Sequence, residues 1–341
     1  MKARQSNIEL LRIISMLMIL CVHFTGATFP IPSKMHINDV TSISSVAKIL
    51  MESFSIIGVN CFVLISGFFG IKPSVKGIVN FIICCLFYSV IIYGIYAIAL
   101  PAKYSINDVL SSFAIFSHTD LWFIPAYFAL YLISPIINRG LNGITKKNFI
   151  LILVGLTFIN VYLGWFWGGK INPTGYNTMH LIYIYTIGRF IKVHISSINL
   201  STFKCVIGYI VSFLLIVTST FFCKSSMAFA YNSPFIIFAS AFFFLIFNSF
   251  SFNSPNINYI ASSAFAVYLI HKMPPVWNDL KNFLISNSEN CDLILFPLFW
   301  IAFIFMIFTA CITIDKLRVI ITTPLSKFIS KYIGSFYKLL C

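Results

Sequence analysis

The sequence predicts an all-α membrane protein, a polytopic helical bundle with about ten transmembrane helices. Hydrophobic residues make up 59% of the 341 residues and charged residues only 9%, and the mean hydropathy is +0.93. Ordinary soluble domains contain roughly 45–50% apolar and about 25% charged residues. So few charged side chains cannot cover a soluble globule of this size. The composition therefore excludes soluble enzymes, disordered scaffolds and secreted disulfide-rich domains.

Apolar stretches mark the positions of the spans, because about 20 residues of helix cross the hydrocarbon core of a bilayer. The ten segments are residues 10–29, 49–69, 78–99, 121–138, 149–166, 180–194, 204–222, 234–250, 258–272 and 293–314. The sixth and ninth segments are shorter and carry polar residues. The predicted number of spans is therefore ten, with an uncertainty of one or two. Proline and glycine residues typical of loops separate the segments.

The basic residues predict the orientation of the chain. The net charge is +14, but Lys and Arg occur in ones and twos, without the basic stripe or aromatic platform of a nucleic-acid-binding protein. With the N-terminus inside and ten spans, 15 of the 23 basic residues fall on the cytoplasmic side, and such loops are enriched in Lys and Arg. We therefore expect a multi-pass protein with both termini in the cytoplasm.

The chain is divided into a transmembrane domain at residues 1–315 and a cytoplasmic, basic amphipathic tail at residues 316–341. From Leu325 onward, apolar residues follow the i, i+3, i+4, i+7 spacing of a helix and are accompanied by lysines. This pattern predicts an interfacial helix on the inner leaflet of the membrane. A helix packed under the bundle is the alternative.

Three ionisable residues of the first helix, Glu9 just before the predicted span and Arg12 and His23 within it, are candidate functional residues, because charge at membrane depth is costly. Arg12 and His23 are eleven residues apart, which places them on one helical face about 17 Å apart along the axis. Glu9, one turn before Arg12, can pair with it. The alternative is that Arg12 extends to the interface and His23 binds a neighbouring carbonyl.

This pattern resembles the first helix of the integral-membrane acyltransferase-3 family, in which an acidic residue is followed by Arg or Lys, ten residues and His. Three further segments agree, in the same order along the chain. They are Gly58–Phe68, similar to "GV…F…SGF"; Leu121–Pro135, similar to "LWF…Y…P"; and Ala266–His271, similar to "YLIH". The chain is thus identified as resembling this family over nearly its whole length.

The resemblance implies transfer of an acyl group, with acetyl favoured, from cytoplasmic acyl-CoA to a hydroxyl of a carbohydrate. The acceptor would be a surface polysaccharide or a lipid-linked glycan precursor, and the protein would be of the stand-alone type in the bacterial inner (plasma) membrane. The expected partners are acyl-CoA, the glycan and membrane lipids, without nucleic acid. Acyl-CoA is a substrate, and neither a permanently bound cofactor nor a metal is expected.

The residues fit this chemistry. A sugar hydroxyl needs a base near neutral pH, and His23 can act as that base. The planar guanidinium of Arg12 suits the phosphates of CoA. Glu9 would steady Arg12. Tyr268 and His271 end the ninth segment on the same predicted side as His23, where they could bind the acceptor or belong to the aromatic belt of the membrane.

Several other residues have two interpretations. Trp122 belongs either to the aromatic belt of the membrane or to a platform that binds a sugar. Asn60 and Ser66 are expected to link helices by hydrogen bonds, and Gly58 and Gly67 are expected to let helices approach closely.

Two other functions remain open. One is a glycan exporter or flippase, which also needs buried charges, although the paired broken helices and internal repeats of many transporters are not evident in the sequence. The other is a glycan polymerase. HExxH, GxSxG, Walker A and His/Cys zinc patterns are missing from the sequence, which disfavours a metal or serine-triad mechanism.

Overall fold

The computed structural model describes residues 5–28, 43–117, 119–167, 171–195, 201–288 and 296–340. Within these ranges the chain consists of helices joined by short connections and contains no strand. Apolar residues from most of the helices form one buried core. The predicted all-α membrane bundle is therefore confirmed.

Fifteen α-helices follow one another along the described residues. They are α1 (Ser6–Thr28), α2 (Ile43–Ser55), α3 (Gly58–Phe69), α4 (Val75–Ala99), α5 (Ile106–Ser111), α6 (Phe123–Leu141), α7 (Lys146–Thr157), α8 (Thr178–Phe190), α9 (Thr202–Phe222), α10 (Ser225–Ala228), α11 (Pro234–Asn248), α12 (Pro255–Ala261), α13 (Ala264–Lys272), α14 (Pro274–Ser288) and α15 (Phe296–Leu340). Helices α7 and α8 continue as π-helical segments at Phe158–Phe166 and Ile191–Ile195.

Six helical stretches of the described chain are long and apolar enough to cross a membrane. They are Ser6–Thr28, Val46–Phe69, Val75–Ala99, Lys146–Phe166, Thr202–Phe222 and Leu298–Ile333. The other four predicted spans are also helical, but they are shorter or more polar: α6, α8, α11 and the pair α12 and α13. Every predicted apolar segment is thus mostly helical over its described residues, and the count of ten crossings stays a prediction.

Local sequence explains several helix ends. The side chain of Ser74 accepts a hydrogen bond from the backbone N–H of Gly77 at 3.1 Å, and Asn177 does the same for His180 at 3.1 Å. Such caps satisfy N–H groups that the first turn of a helix leaves unpaired. Gly70 follows α3 with a φ of 72°, a conformation that favours glycine.

Helix α1 lies at the centre of the bundle and runs parallel to α12 and α13. At its first turn, the hydroxyl oxygen of Ser6 accepts a hydrogen bond from the backbone N–H of Ser254 at 2.9 Å. Near its other end, His23 contacts His271. The start of α1 therefore meets the start of α12, and the end of α1 meets the end of α13.

Glycines allow the helices around α3 to approach closely. A Cβ atom added to Gly58 would lie 2.7 Å from the carbonyl oxygen of Ser15 in α1. One added to Gly67 would collide with the backbone of Tyr185 in α8, and one added to Gly188 would lie 2.5 Å from the carbonyl oxygen of Leu64. The close packing expected at Gly58 and Gly67 is present, and it fixes α3 between α1 and α8.

Two of the predicted spans are interrupted, which the hydropathy pattern did not indicate. The second has a two-residue turn at Ile56 and Ile57, between α2 and α3 within the stretch Val46–Phe69, and the ninth has one at Ser262 and Ser263, between α12 and α13. A hydropathy pattern averages over many residues, so it does not register a break of two residues in an apolar or weakly polar run.

The tail is helical, as its spacing predicts, but it is not a separate element. Helix α15 continues from Phe296 to Leu340 without a break at residue 316. Side chains beyond Ile333 lie outside the described residues. The division at residue 316 and the placement of the tail on the inner leaflet stay predictions.

Candidate active site

The structure brings three of the predicted site residues together at the ends of α1 and α13. The Nδ1 atom of His23 lies 2.8 Å from the Nε2 atom of His271, and the ring centroids of His23 and Tyr268 are 6.4 Å apart. His271 and Tyr268 are buried, and His23 is partly buried. The "YLIH" segment therefore presents two of its side chains to the histidine of the first helix.

The hydrogen bonds of this pair assign its protons. The Nδ1 atom of His271 lies 2.5 Å from the carbonyl oxygen of Val267, which can only accept, so this nitrogen donates. In a neutral His271 the Nε2 atom then has the lone pair and accepts from Nδ1–H of His23. A neutral His23 in turn has its lone pair on Nε2. This assignment rests on the hydrogen-bond partners, and it makes Nε2 of His23 able to accept a proton.

Aromatic side chains hold the histidine pair in place. The Trp277 ring lies 5.9 Å from that of His23 and is stacked on Phe24 at 6.4 Å. The ammonium of Lys272 lies 4.2 Å from the centroid of the Trp277 ring, within the range of a cation–π interaction. The elements α1, α13 and α14 thus enclose the pair on one side.

On another side His23 faces a small cavity. Its volume is about 20 Å³, close to the space that one water molecule needs. The other lining residues are mostly apolar or aromatic: Met16, Ile19, Val59, Phe62, Trp122, Phe123, Tyr231, Phe265 and Tyr268. All four segments that carry the resemblance contribute to this cavity, since residues of α1, α3, α13 and the region around Trp122 line it.

Glu9 and Arg12 form a second group, nearer the start of α1. The Nε atom of Arg12 lies 3.7 Å from a carboxylate oxygen of Glu9, so the pair that the spacing allows is formed. The guanidinium carbon of Arg12 lies 5.9 Å from the centroid of the Phe62 ring, which also lines the cavity at His23. Arg12 and His23 therefore lie on the same side of α1, with Phe62 beside both.

Residues of the second and third motif segments support this arrangement. The hydroxyl groups of Ser66 in α3 and Tyr127 in α6 lie 3.0 Å apart. Asn60 donates from its Nδ2 atom to the carbonyl oxygen of Tyr231 at 3.0 Å, and its Oδ1 atom lies 2.9 Å from the Nε2 atom of His180. Ser66 and Asn60 thus link helices, as expected. His180 is buried in this network, away from the pair at His23.

Sequence analysis missed a buried acid near the end of α1. Glu52 of α2 is 6% exposed, and its carboxylate accepts a hydrogen bond from the hydroxyl of Thr25, two residues after His23. Glu52 also interacts electrostatically with Tyr176 and Tyr231. A signal was available, because Glu52 is the one acidic residue inside any of the ten predicted spans.

Three aromatic residues form a cluster next to the cavity. The ring centroids of Trp122 and Tyr176 are 4.8 Å apart, those of Tyr176 and Tyr231 are 4.8 Å apart, and those of Trp122 and Tyr231 are 5.8 Å apart. We call Trp122, Tyr176 and Tyr231 the aromatic cluster. Trp122 thus packs against other aromatic residues of the protein, next to the cavity at His23. Its predicted place in the aromatic belt of the membrane stays a prediction.

A comparison with known protein families shows the family of the chain. Residues 5–316 match the acyltransferase domain of the acyltransferase-3 family. The chain belongs to this family. The match extends from the start of α1 into α15, so it includes both histidines, Arg12 and the four segments of the resemblance. No curated protein and no solved structure matches the chain. The protein is therefore a membrane acyltransferase of this family. Within the described residues, no group of three His, Cys, Asp or Glu side chains could hold a metal ion.

Proposed function

We propose that this acyltransferase moves an acyl group, acetyl in the first instance, from cytoplasmic acyl-CoA to a hydroxyl of a surface glycan or its lipid-linked precursor in a bacterial inner membrane. The observation that carries the proposal is the hydrogen-bonded pair of His23 and His271. It leaves the Nε2 atom of His23 as a proton acceptor beside a cavity that all four family segments line.

The pair supports the following reaction. The glycan hydroxyl gives its proton to Nε2 of His23 while its oxygen forms a bond to the thioester carbonyl carbon. His23 is then a cation, and its Nδ1–H donates to His271, which helps to stabilise that charge. When the tetrahedral intermediate collapses, the carbon–sulfur bond breaks and the proton on Nε2 passes to the departing thiolate. The products are the glycan ester and CoA, and His23 returns to its neutral form.

Arg12 is proposed to bind the donor. A guanidinium near the predicted cytoplasmic end of α1 suits a phosphate group. Glu9 lies 3.7 Å from Nε of Arg12 but uses only part of the five N–H groups of its side chain. Phe62 lies beside both Arg12 and His23, so a donor bound at Arg12 could extend along α1 toward the base.

The acceptor is proposed to bind at the other end of α1, where the aromatic cluster lies beside the cavity and Glu52 interacts with Tyr176 and Tyr231 of that cluster. Aromatic rings pack against the apolar faces of sugars, and a carboxylate accepts hydrogen bonds from sugar hydroxyls. Trp122 and Tyr231 line the cavity together with His23. This arrangement would place a sugar hydroxyl next to the base.

A glycan exporter or flippase remains the alternative, and one observation favours it. The second and ninth predicted spans are interrupted, and transporters often bind substrate at broken helices. The breaks do not lie at the histidine pair, however, and membership of an acyltransferase family favours group transfer.

Incubation of the purified protein with acetyl-CoA tests the proposal. We expect release of the CoA thiol and incorporation of labelled acetyl into a cell-envelope glycan extract, with both lost in His23→Ala. His194→Ala is the matched control, since His194 packs against Phe149 and Phe190, away from the site. Unchanged acetylation by His23→Ala, or glycan movement across vesicles without thiol release, would overturn the proposal.

A further inference from the structure

A second cavity lies between α4, α13 and α15, on the side of the bundle predicted to face the cytoplasm. Its volume is about 400 Å³. Three cationic side chains line it, those of Lys76, Arg318 and Lys327, together with the carboxylate of Asp315. Three positive charges and one negative charge give the lining a formal charge of +2. A site of this size and charge suits a ligand with more than one phosphate group.

The guanidinium of Arg318 is held in a fixed orientation. Its Nε atom donates to the carboxylate of Asp315 at 2.6 Å, and its Nη1 atom donates to the hydroxyl of Thr322 at 3.3 Å. Tyr88 donates to the same carboxylate oxygen at 2.7 Å. These contacts use two of the five N–H groups of Arg318, and the remaining three can bind the oxygens of an anion.

Short polar side chains and apolar side chains make up the rest of the lining. Asn80 of α4 and Ser326 of α15 form a hydrogen bond, and both line the cavity with Thr322 and Thr323. Hydroxyl and amide groups of this kind donate to phosphate oxygens without adding charge. Lys76 and Lys327 are exposed, and neither forms an ion pair with an acidic group among the described residues.

The two cavities share one lining residue. Phe265 lines both of them. It lies six residues before His271 on α13, which is about 9 Å along the helix axis. An elongated ligand with a charged end among Lys76, Arg318 and Lys327 would therefore run alongside Phe265 on its way to the histidine pair.

We infer that this cavity binds phosphate groups of the acyl donor in addition to the contact proposed for Arg12, with the acyl-bearing arm directed past Phe265 toward His23. The inference rests on the proposed function, because that function names a CoA thioester as donor. CoA carries a pyrophosphate and a separate ribose phosphate on one end and a long flexible arm on the other, which matches a cationic cavity that shares a lining residue with a narrow, mostly apolar one. The headgroup of an anionic lipid offers the same phosphate chemistry and is distinguished by the experiment.

The test compares two double variants in detergent without anionic lipid. Lys76→Gln with Lys327→Gln removes two charges of the cavity and leaves the paired Arg318 in place. Lys147→Gln with Lys204→Gln is the matched control, since these lysines are exposed, predicted to be cytoplasmic and outside the cavity. Calorimetry with CoA and with dephospho-CoA gives the affinities. We expect the first variant to bind CoA roughly tenfold more weakly at low ionic strength and the control to bind like wild type.

Dephospho-CoA and lipid nanodiscs distinguish binding of CoA phosphates from binding of a lipid headgroup. We expect wild type to prefer CoA to dephospho-CoA, and the cavity variant to lose much of that preference. Unchanged CoA affinity in the folded cavity variant would overturn the inference. So would a cavity variant that binds CoA normally but loses stabilisation by phosphatidylglycerol relative to phosphatidylcholine, which would assign the cavity to a lipid. In both cases thiol release from acetyl-CoA would continue and the proposed function would stand. A wild-type protein that neither binds CoA nor releases thiol would overturn both.

Discussion

The Nδ1 atom of His23 donates to the Nε2 atom of His271, which is itself oriented by the carbonyl oxygen of Val267. The same chain of contacts that orients His23 also determines which of its nitrogens is free to take a proton. The two histidines therefore have different expected roles, and substitutions can separate them.

His23→Ala is expected to lower acyl transfer by roughly 10²–10⁴-fold, the usual cost of removing a general base. The measurement is the rate of acetyl incorporation by purified protein. Membrane insertion and the melting temperature should stay close to wild type, because His23 is only partly buried. Normal glycan modification by a well-expressed His23→Ala protein would return His23 to a structural role.

His271 is expected to act through His23 as a positioning residue. His271→Ala removes the acceptor for Nδ1–H of His23, and His271→Gln retains an oxygen that can accept. We expect the Ala variant to lose most of kcat with little change in KM for acetyl-CoA, and the Gln variant to recover part of kcat. Equal activity of the two variants, after both are shown to be folded, would contradict this role.

Arg12 is expected to contribute to donor binding but not to the proton transfer. Arg12→Ala should weaken acyl-CoA binding, and Arg12→Lys should be intermediate, because lysine keeps the charge and loses the bidentate geometry. His23→Ala should bind acyl-CoA nearly as wild type does. Calorimetric titration of the three variants measures this. Wild-type affinity in a folded Arg12→Ala protein would exclude Arg12 from the donor site.

The close contact between α3 and α8 is expected to be sensitive to a single methyl group. Gly188→Ala would place a Cβ 2.5 Å from the carbonyl oxygen of Leu64, so we expect a loss of about 1–3 kcal/mol in the free energy of unfolding. Gly155→Ala on α7 is the control, because its Cβ would meet nothing within 4 Å. It should be neutral or slightly stabilising. Thermal melting in detergent compares them, and equal melting temperatures would refute the contact.

The predicted orientation can be tested with reporter fusions. Fusions at Lys2 and after Lys338 should both report the cytoplasm, and one at Asn287 in α14 should report the exterior. The charge distribution is the physical reason, since short cytoplasmic loops retain Lys and Arg. Opposite signals at the two termini would mean an odd number of spans and would move His271 to the other side of the membrane.

Hydropathy and spacing were sufficient to predict the helices and the polar face of α1. Each apolar segment is helical, and Arg12 and His23 lie on one side of their helix because eleven residues make almost three whole turns. Spacing along one helix could not show that His271 orients His23 rather than simply lying on the same side of the membrane. That contact depends on α1 and α13 running parallel, which is a property of the packed bundle.

Glu52 shows a different limit of sequence reasoning. Its position within an apolar span marked it as costly, but only packing shows that its partner is Thr25. The cavity at Arg318 was also beyond prediction, because its lining comes from α4, α13 and α15, which are far apart in the sequence. Residues that share a helix could be grouped in advance, and those that meet across helices could not.

The small size of the cavity at His23 has a consequence for how much of the acyl donor is lost to hydrolysis. A thioester is hydrolysed when a base activates water instead of an alcohol, and the donor is then wasted. A space of about 20 Å³, lined mostly by apolar and aromatic side chains, admits about one water molecule beside His23. A sugar hydroxyl that enters this space displaces that water molecule. The acceptor therefore removes the nucleophile that would otherwise hydrolyse the donor.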